Sequence, residues 1–378
     1  MGGDARAGVR AGAGAAAALA VLLVGAAAPA GAQQVGAREE APSGPVLAFA
    51  GHDGADGEPG LFGLDTGTGR QWRIAEGSAH DVHFSPDGTR IAWIGHGDDD
   101  LGSVQVAAAD GSGRQRLDAP GDSRSLTWAP DGALSWFHRS AWSPTDCTDP
   151  DRLTRVELVH RTADGAQRAL GTAAATAAQL RASPDGRTLA WVESGPDVCA
   201  AAPTQLVVAD VATGAQVVVA GAEDAADASF SPDSARLALT HRDGDVVLVD
   251  VAAGTAHRVR TDGVLERRAR FTGTAELVLA RTTGTSRQLS LVGLDGGVHR
   301  DLGTAPEFVD DLVVAPDGAL VVAGRSAGAG AGSLLRHPLD GAPATLLGED
   351  ARAVEPELAV APWSSPAPVL ERRARSPR

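Results

Sequence analysis

One ten-residue pattern recurs along the chain and constrains its fold more than any other feature. It reads FSPDGTRIAW from Phe84, WAPDGALSWF from Trp128, ASPDGRTLAW from Ala182, FSPDSARLAL from Phe230 and VAPDGALVVA from Val314, with a degenerate copy, FTGTAELVLA, from Phe271. Proline ends a strand because it lacks the amide hydrogen a ladder needs, and it presets φ for a tight turn. Aspartate accepts hydrogen bonds from nearby backbone N–H groups, and glycine supplies a positive φ. The apolar residues that follow, such as Ile91-Ala92-Trp93, begin the next strand. Each copy is therefore a hairpin.

A second signal is independent of the first. After each hairpin comes a further strand ending in an aspartate-plus-glycine turn, at Asp65, Asp110, Asp164, Asp210, Asp250, Asp295 and Asp340. These aspartates are 45, 54, 46, 40, 45 and 45 residues apart. A period of about 40–50 residues with four short strands per unit is the signature of propeller blades. Helical periodicity is absent between Pro45 and Trp363, which excludes helical solenoids, and a β-sandwich would show no fixed period. The expected fold is all-β, a seven-bladed β-propeller with four-stranded blades.

The same alignment predicts how the ring closes. The first strand, Val46 to Ala50, resembles the second strand of a blade, so its blade lacks an inner strand. Residues about 352–361 supply it, with Glu355-Pro-Glu-Leu358 aligned to Asp81-Val-His-Phe84. Closure of this kind removes an unpaired sheet edge.

The repeated SPDG hairpin resembles the TolB-type, WD-repeat-like propeller family, whose repeat also occurs in the propeller domains of some prolyl-oligopeptidase-like peptidases. The resemblance covers about residues 46–361. It implies a role in protein contact at the cell envelope and does not transfer a partner. TolB proteins resemble two-domain chains with an α/β domain ahead of the propeller, and the peptidases carry a hydrolase domain. Residues 33–45 leave room for neither.

The amino terminus reads as a secretory signal over 1–32. Arg6 and Arg10 precede an apolar run from Ala15 to Ala28, followed by small residues suited to cleavage after Ala32. An uncleaved anchor is the alternative, although the run is short for a membrane span. Residues 33–45 are a short linker, 46–363 the propeller and 364–378 a disordered tail. After cleavage no integral membrane span is expected. The formal net charge of −15 and the lack of a basic stripe argue against a nucleic-acid partner. The two cysteines of an exported chain, Cys147 and Cys199, lie in equivalent loops of adjacent blades and are expected to form a disulfide.

Several motifs have plainer readings than chemistry. Gly324-Arg-Ser326-Ala-Gly328 matches the G-x-S-x-G of hydrolases, but no helix can follow it, so it reads as a loop. His80 and His83 fall on opposite faces of a strand, and Asp98-Asp99-Asp100 lacks spaced oxygen ligands; no metal site is expected. Trp93, Trp128, Trp136 and Trp191 recur at repeat positions and read as packing between blades.

The candidate site comes from aligning inner strands. Three residues before the end of each, one column reads Asp81, Ser125, Gln179, Asp227, Arg268, Asp311 and Glu355, and the next is mostly apolar. Such alternation suits strands that present every second residue to the central channel. Asp81, Asp227, Arg268, Asp311 and Glu355 are therefore the expected channel-mouth binding residues, joined by Trp142 from the long loop that ends near Thr154. An acid excess with Arg268 as the lone cation favours a basic peptide or a cation, and the four acids are expected to be dispensable for folding. The sequence points to a monomeric, non-catalytic scaffold for a protein or peptide partner, with no cofactor and no catalytic residues. A propeller enzyme (lyase, glycosidase or quinone-cofactor dehydrogenase) with its site at the channel mouth is the alternative.

Overall fold

The computed structural model describes residues 46–52, 58–96, 101–140, 155–194, 203–260, 265–283, 286–315, 318–325, 332–351 and 358–360. Among them there is no helix, and 28 strands form seven four-stranded antiparallel sheets. The signal segment, the linker, the tail, Trp142, Cys147, Cys199, Asp98–Asp100, Ser326 and Glu355 lie outside the described residues.

Blades two to seven each run from the inner to the outer strand in chain order. Blade two is β4 (Ala79–Phe84), β5 (Arg90–His96), β6 (Gly102–Ala108) and β7 (Gln115–Arg116). Blade three is β8 (Asp122–Trp128), β9 (Leu134–Arg139), β10 (Arg155–Arg161) and β11 (Gln167–Ala174). Blade four is β12 (Ala178–Ala182), β13 (Thr188–Ser194), β14 (Thr204–Asp210) and β15 (Gln216–Val218). Blade five is β16 (Ala225–Phe230), β17 (Arg236–His241), β18 (Val246–Asp250) and β19 (Thr255–Arg260). Blade six is β20 (Leu265–Phe271), β21 (Glu276–Thr283), β22 (Ser286–Gly293) and β23 (Val298–Thr304). Blade seven is β24 (Phe308–Val314), β25 (Leu320–Arg325), β26 (Gly332–His337) and β27 (Thr345–Ala351). Blade one joins both ends of the chain: β1 (Val46–His52), β2 (Pro59–Asp65) and β3 (Gln71–Glu76) follow an inner strand β28 (Leu358–Val360).

Both turn families do what their residues dictate. In the SPDG turn of blade two the Ser85 hydroxyl donates to Asp87 (2.6 Å), Asp87 accepts from the Thr89 amide (3.1 Å), and Gly88 takes φ 69°. All seven aspartates of the second signal accept a backbone amide inside their own turn, from Gly67, Ser112, Ala166, Thr213, Ala253, Gly297 and Ala342 in chain order. Because this chemistry is local, the period read from the sequence survives folding intact.

The middle strands of each blade are apolar on both faces because they are sandwiched between neighbouring blades. Seven buried clusters straddle the seven blade boundaries. The cluster of Leu47, Phe49, Val321 and Leu334 joins blade one to blade seven and closes the ring. Trp93, Trp136 and Trp191 are at most 1% exposed in three of these boundaries, as packing residues should be. Outer strands are short or solvated: β7 has two residues and the three of β15 are all exposed, which limits edge pairing.

The closing strand corrects one register. Val360 pairs with Leu47, as Ala182 pairs with Leu189 and Phe230 with Leu237. Three residues back from Ala182 and Phe230 lie Gln179 and Asp227; the same count from Val360 reaches Glu357, not Glu355. With only three paired residues in β28, the sequence alignment slipped by one strand period, and both glutamates lie outside the described residues.

Candidate functional site

The polar column marks a backbone defect shared by the inner strands. In all six inner strands of blades two to seven the pairing register shifts at or beside the column residue. Asp81, Ser125, Gln179 and Arg268 take φ of 50°, 46°, 58° and 55° there, the left-handed region. A bulge inserts an extra residue, bends the strand and re-aims a side chain. It also removes an amide from the ladder, and a buried amide requires an acceptor.

The column side chains provide those acceptors, partly across blade boundaries. Asp81 Oδ2 accepts from the Ser125 amide of the next blade (3.1 Å), and Ser125 Oγ from the Leu180 amide of the one after (3.0 Å). Thr240 of blade five does the same for Ala269 of blade six (3.1 Å). Asp227 and Asp311 accept from the amides of Ala228 (3.0 Å) and Leu312 (2.8 Å) beside them. The column is therefore polar for a structural reason, whatever it binds. Ser125 and Asp227 are 3% and 4% exposed, whereas Asp81, Gln179 and Asp311 are partly exposed.

The electrostatics differ from an acidic ring. Asp227 sits among three arginines, with Arg270 Nη1 at 2.6 Å, Arg268 Nη1 at 3.7 Å and Arg181 Nη2 at 3.9 Å. Burial would raise the Asp227 pKa, but Arg270, Arg268 and Arg181 hold it below the usual carboxylate value. Arg270 also reaches Asp311 (3.6 Å) and donates to the Leu312 carbonyl (3.1 Å). Although burial opposes its charge, Asp227 and Asp311 raise the Arg270 pKa. Arg268 is thus not the lone cation: among the described channel residues three aspartates meet three arginines. Asp227 is the counter-charge of a buried arginine cluster, so its loss is expected to cost stability, unlike the dispensability the sequence suggested.

Arg181, Arg270 and His83 are the residues that sequence reasoning missed. Each stands two positions after a column residue, across the bulge. Their short spacing from the column was the one signal in the sequence.

The histidines also depart from expectation. His80 donates to Asp81 Oδ2 (3.0 Å) from Nδ1 and shares a hydrogen between its Nε2 and His96 Nε2 (2.8 Å). Burial would raise the Asp81 pKa, yet the His80 hydrogen bond and the charges of His80, His83 and Arg181 bring it down. His80 and His83 therefore act on one carboxylate despite a separation that puts them on opposite faces of a regular strand, because the bulge lies between them. Burial and the nearby Arg181 charge push the His83 pKa down to about 4. Gly324 and Arg325 of the G-x-S-x-G match end strand β25, and Ser326 lies outside the described residues.

Compared by sequence, the chain matches no family model and none of the curated proteins. Compared by structure, it is similar to TolB from Acinetobacter baumannii at 15% identity, over 82% of this chain and 81% of that one, with a TM-score of 0.50. It is similar to the β-propeller domain of the Trilobed protease from Pyrococcus furiosus at 12% identity, over 82% and 97%, with a TM-score of 0.59. That propeller is described as having an open velcro topology, whereas here β28 pairs with β1. An oligogalacturonate lyase solved with manganese is similar at 14% identity, over 80% and 84%, with a TM-score of 0.57. Among the described residues no helix is long and apolar enough to cross a membrane. At these identities the likeness is one of architecture: the chain is a seven-bladed β-propeller, similar in fold to the propellers of TolB and of other propeller proteins, whatever their blade number.

Proposed function

We propose that the chain is an exported, monomeric, non-catalytic scaffold that binds a protein or peptide. Binding is assigned to the ring face carrying the loops between second and third strands and between successive blades. The observation that supports this most is the internal pairing around Asp227. Channel charges that satisfy one another make a rigid ring, and function concentrates on loops held by a rigid scaffold. The signal-like amino terminus supports export, and the TolB-type repeat supports an envelope partner. Because the described channel charges balance, the partner need not be basic.

Affinity capture on the immobilised chain from an envelope or secreted fraction tests this reading. A specific polypeptide should be retained, and released when residues 141–154, with Trp142, are replaced by a short Gly/Ser linker. Retention should survive Asp87→Ala and Asp233→Ala, which alter turns on the opposite face. Capture indifferent to the loop replacement and to Arg268→Glu at the channel would overturn the assigned face. Turnover of a polysaccharide or a lactone would favour the enzyme reading instead.

A further inference from the structure

The polar column has a structural role that one of its members cannot fill. Asp81, Ser125, Asp227 and Asp311 each accept a backbone amide, and Gln179 Oε1 accepts from Arg181 (2.8 Å). Arg268 has only N–H donors and no acceptor, so it can satisfy no amide. At blade six Thr240 takes that role, accepting from Ala269. The Arg268 guanidinium makes no hydrogen bond among the described residues. Its ion pair with Asp227 Oδ2, at 3.7 Å, is beyond hydrogen-bond reach.

Asp227 is engaged elsewhere. Its Oδ2 accepts from Arg270 Nη1 (2.6 Å) and its Oδ1 from the Ala228 amide (3.0 Å). On the Oδ1 side Arg181 Nη2 stands 3.9 Å away, also too far to bond. Arg181 donates once from each Nη, to the Leu180 carbonyl (3.0 Å) and to Gln179. The second hydrogen on each has no acceptor among the described residues.

Both arginines open to the channel. Arg268 is the middle residue of β20, with β21 behind it and the inner strands β16 and β24 on either side. Arg181 sits likewise in β12, with β13 behind and β8 and β16 beside it. A strand walled on three sides leaves only the channel for exposure. The two side chains are 32% and 25% exposed, against 5% for Asp227.

Charge balances over the channel as a whole but not within this cluster. Three guanidinium groups share the carboxylates of Asp227 and Asp311. Asp81 forms no ion pair with an arginine among the described residues and is held by His80 and the Ser125 amide. One further negative charge completes the cluster. A planar guanidinium fork suits two coplanar oxygens, the geometry of a carboxylate.

We propose that the central channel binds a singly charged carboxylate, seated on Arg268 and the neighbouring Arg181. A small organic acid and the carboxyl terminus of a peptide offer the same chemistry. Free acids test the site without a polypeptide partner, so it stands or falls independently of the loop face assigned above.

Calorimetry and saturation-transfer NMR on the full chain, at constant ionic strength, test it. The probes are benzoate, N-acetylalanine and acetyl-trialanine, with the amide of each as an uncharged control. At least one acid should bind with a Kd of about 1 mM, and its amide about tenfold more weakly or not at all. Arg268→Gln should weaken binding about tenfold with the thermal midpoint retained, and Arg181→Gln about threefold. Arg258→Gln, at an exposed ion pair on the outer strand of blade five, should leave binding unchanged. Should Arg268→Gln fail to fold, Arg268→Lys replaces it, keeping the charge and losing the fork, with an expected loss of about threefold. Tighter binding of the tripeptide than of N-acetylalanine supports the site and identifies a peptide terminus; the reverse supports it and identifies a free acid. No binding of any acid up to about 50 mM overturns the proposal. So do amides that bind as tightly as their acids, binding indifferent to Arg268→Gln, or tighter binding of inorganic phosphate than of any carboxylate.

Discussion

Arg270 of blade six donates to the Asp227 carboxylate of blade five at 2.6 Å, across 43 positions of sequence and inside a shell that leaves Asp227 only 4% exposed. Arg268 and Arg181 approach the same carboxylate from blades six and four. One side chain thus ties three blades together, and removing it leaves Arg270 without its main counter-charge. Asp227→Ala should cost about 3–5 kcal/mol, the usual penalty for breaking a buried pair from one side. Arg268→Ala, at the more exposed edge of the cluster, should cost under about 1 kcal/mol. Urea unfolding of the two variants separates these outcomes, and equal, small losses would show that the cluster contributes no stability.

Acid should weaken the fold before the carboxylates titrate. His83 has a pKa of about 4 in the folded chain against 6.5 for a free histidine, so the unfolded chain takes up its proton first as pH falls. Stability from this group is complete above pH 6.5 and is lost between pH 6.5 and 4, by roughly 3 kcal/mol. Burial lowers the pKa values of His160, His241 and His337 as well, which adds to the same slope. Chemical denaturation at a series of pH values should show this decline, and His83→Asn should flatten it.

Ring closure rests on β28. Deleting residues 352–378 removes the strand that pairs with Leu47, Ala48 and Phe49, and should abolish cooperative unfolding. Deleting 365–378 should leave the thermal midpoint nearly unchanged. A single cooperative transition in the larger truncation would show that blade one folds without its inner strand.

The SPDG turn of blade five carries Ser234, at φ 64°, where the other turns place Gly88, Gly132, Gly186 and Gly318. Its hydroxyl accepts from the Asp185 amide of the neighbouring turn (2.9 Å). Ser234→Ala keeps the left-handed strain and loses the bond, so it should destabilise by about 1 kcal/mol. Ser234→Gly loses the same bond and relieves roughly the same strain, for a net change within about 0.5 kcal/mol. Thermal denaturation distinguishes them, and a glycine variant as weak as the alanine one would refute the trade.

We further propose that Cys147 and Cys199 are joined. Closing a loop of that length should stabilise the chain by about 3–4 kcal/mol on the chain-entropy account. Mass spectrometry of the unreduced protein should find no alkylatable thiol, and two would exclude the bond.

The sequence by itself determined the blade number, the order of strands and the closure of the ring by the carboxyl terminus. It could do so because Asp87 and Gly88, or Asp210 and Gly214, shape their turns through bonds within a few residues, and period-two burial is equally local. It also picked out the polar position shared by the inner strands of blades two to seven, and misplaced it in the closing strand. What the column does was decided only in three dimensions. The bulges that put Asp81 and Arg268 in the left-handed region arise where seven inner strands crowd one axis, and nothing local in their sequence announces it. The partners of Asp227 come from other blades, so only the packed ring shows that Arg181, Arg268 and Arg270 offset the acids.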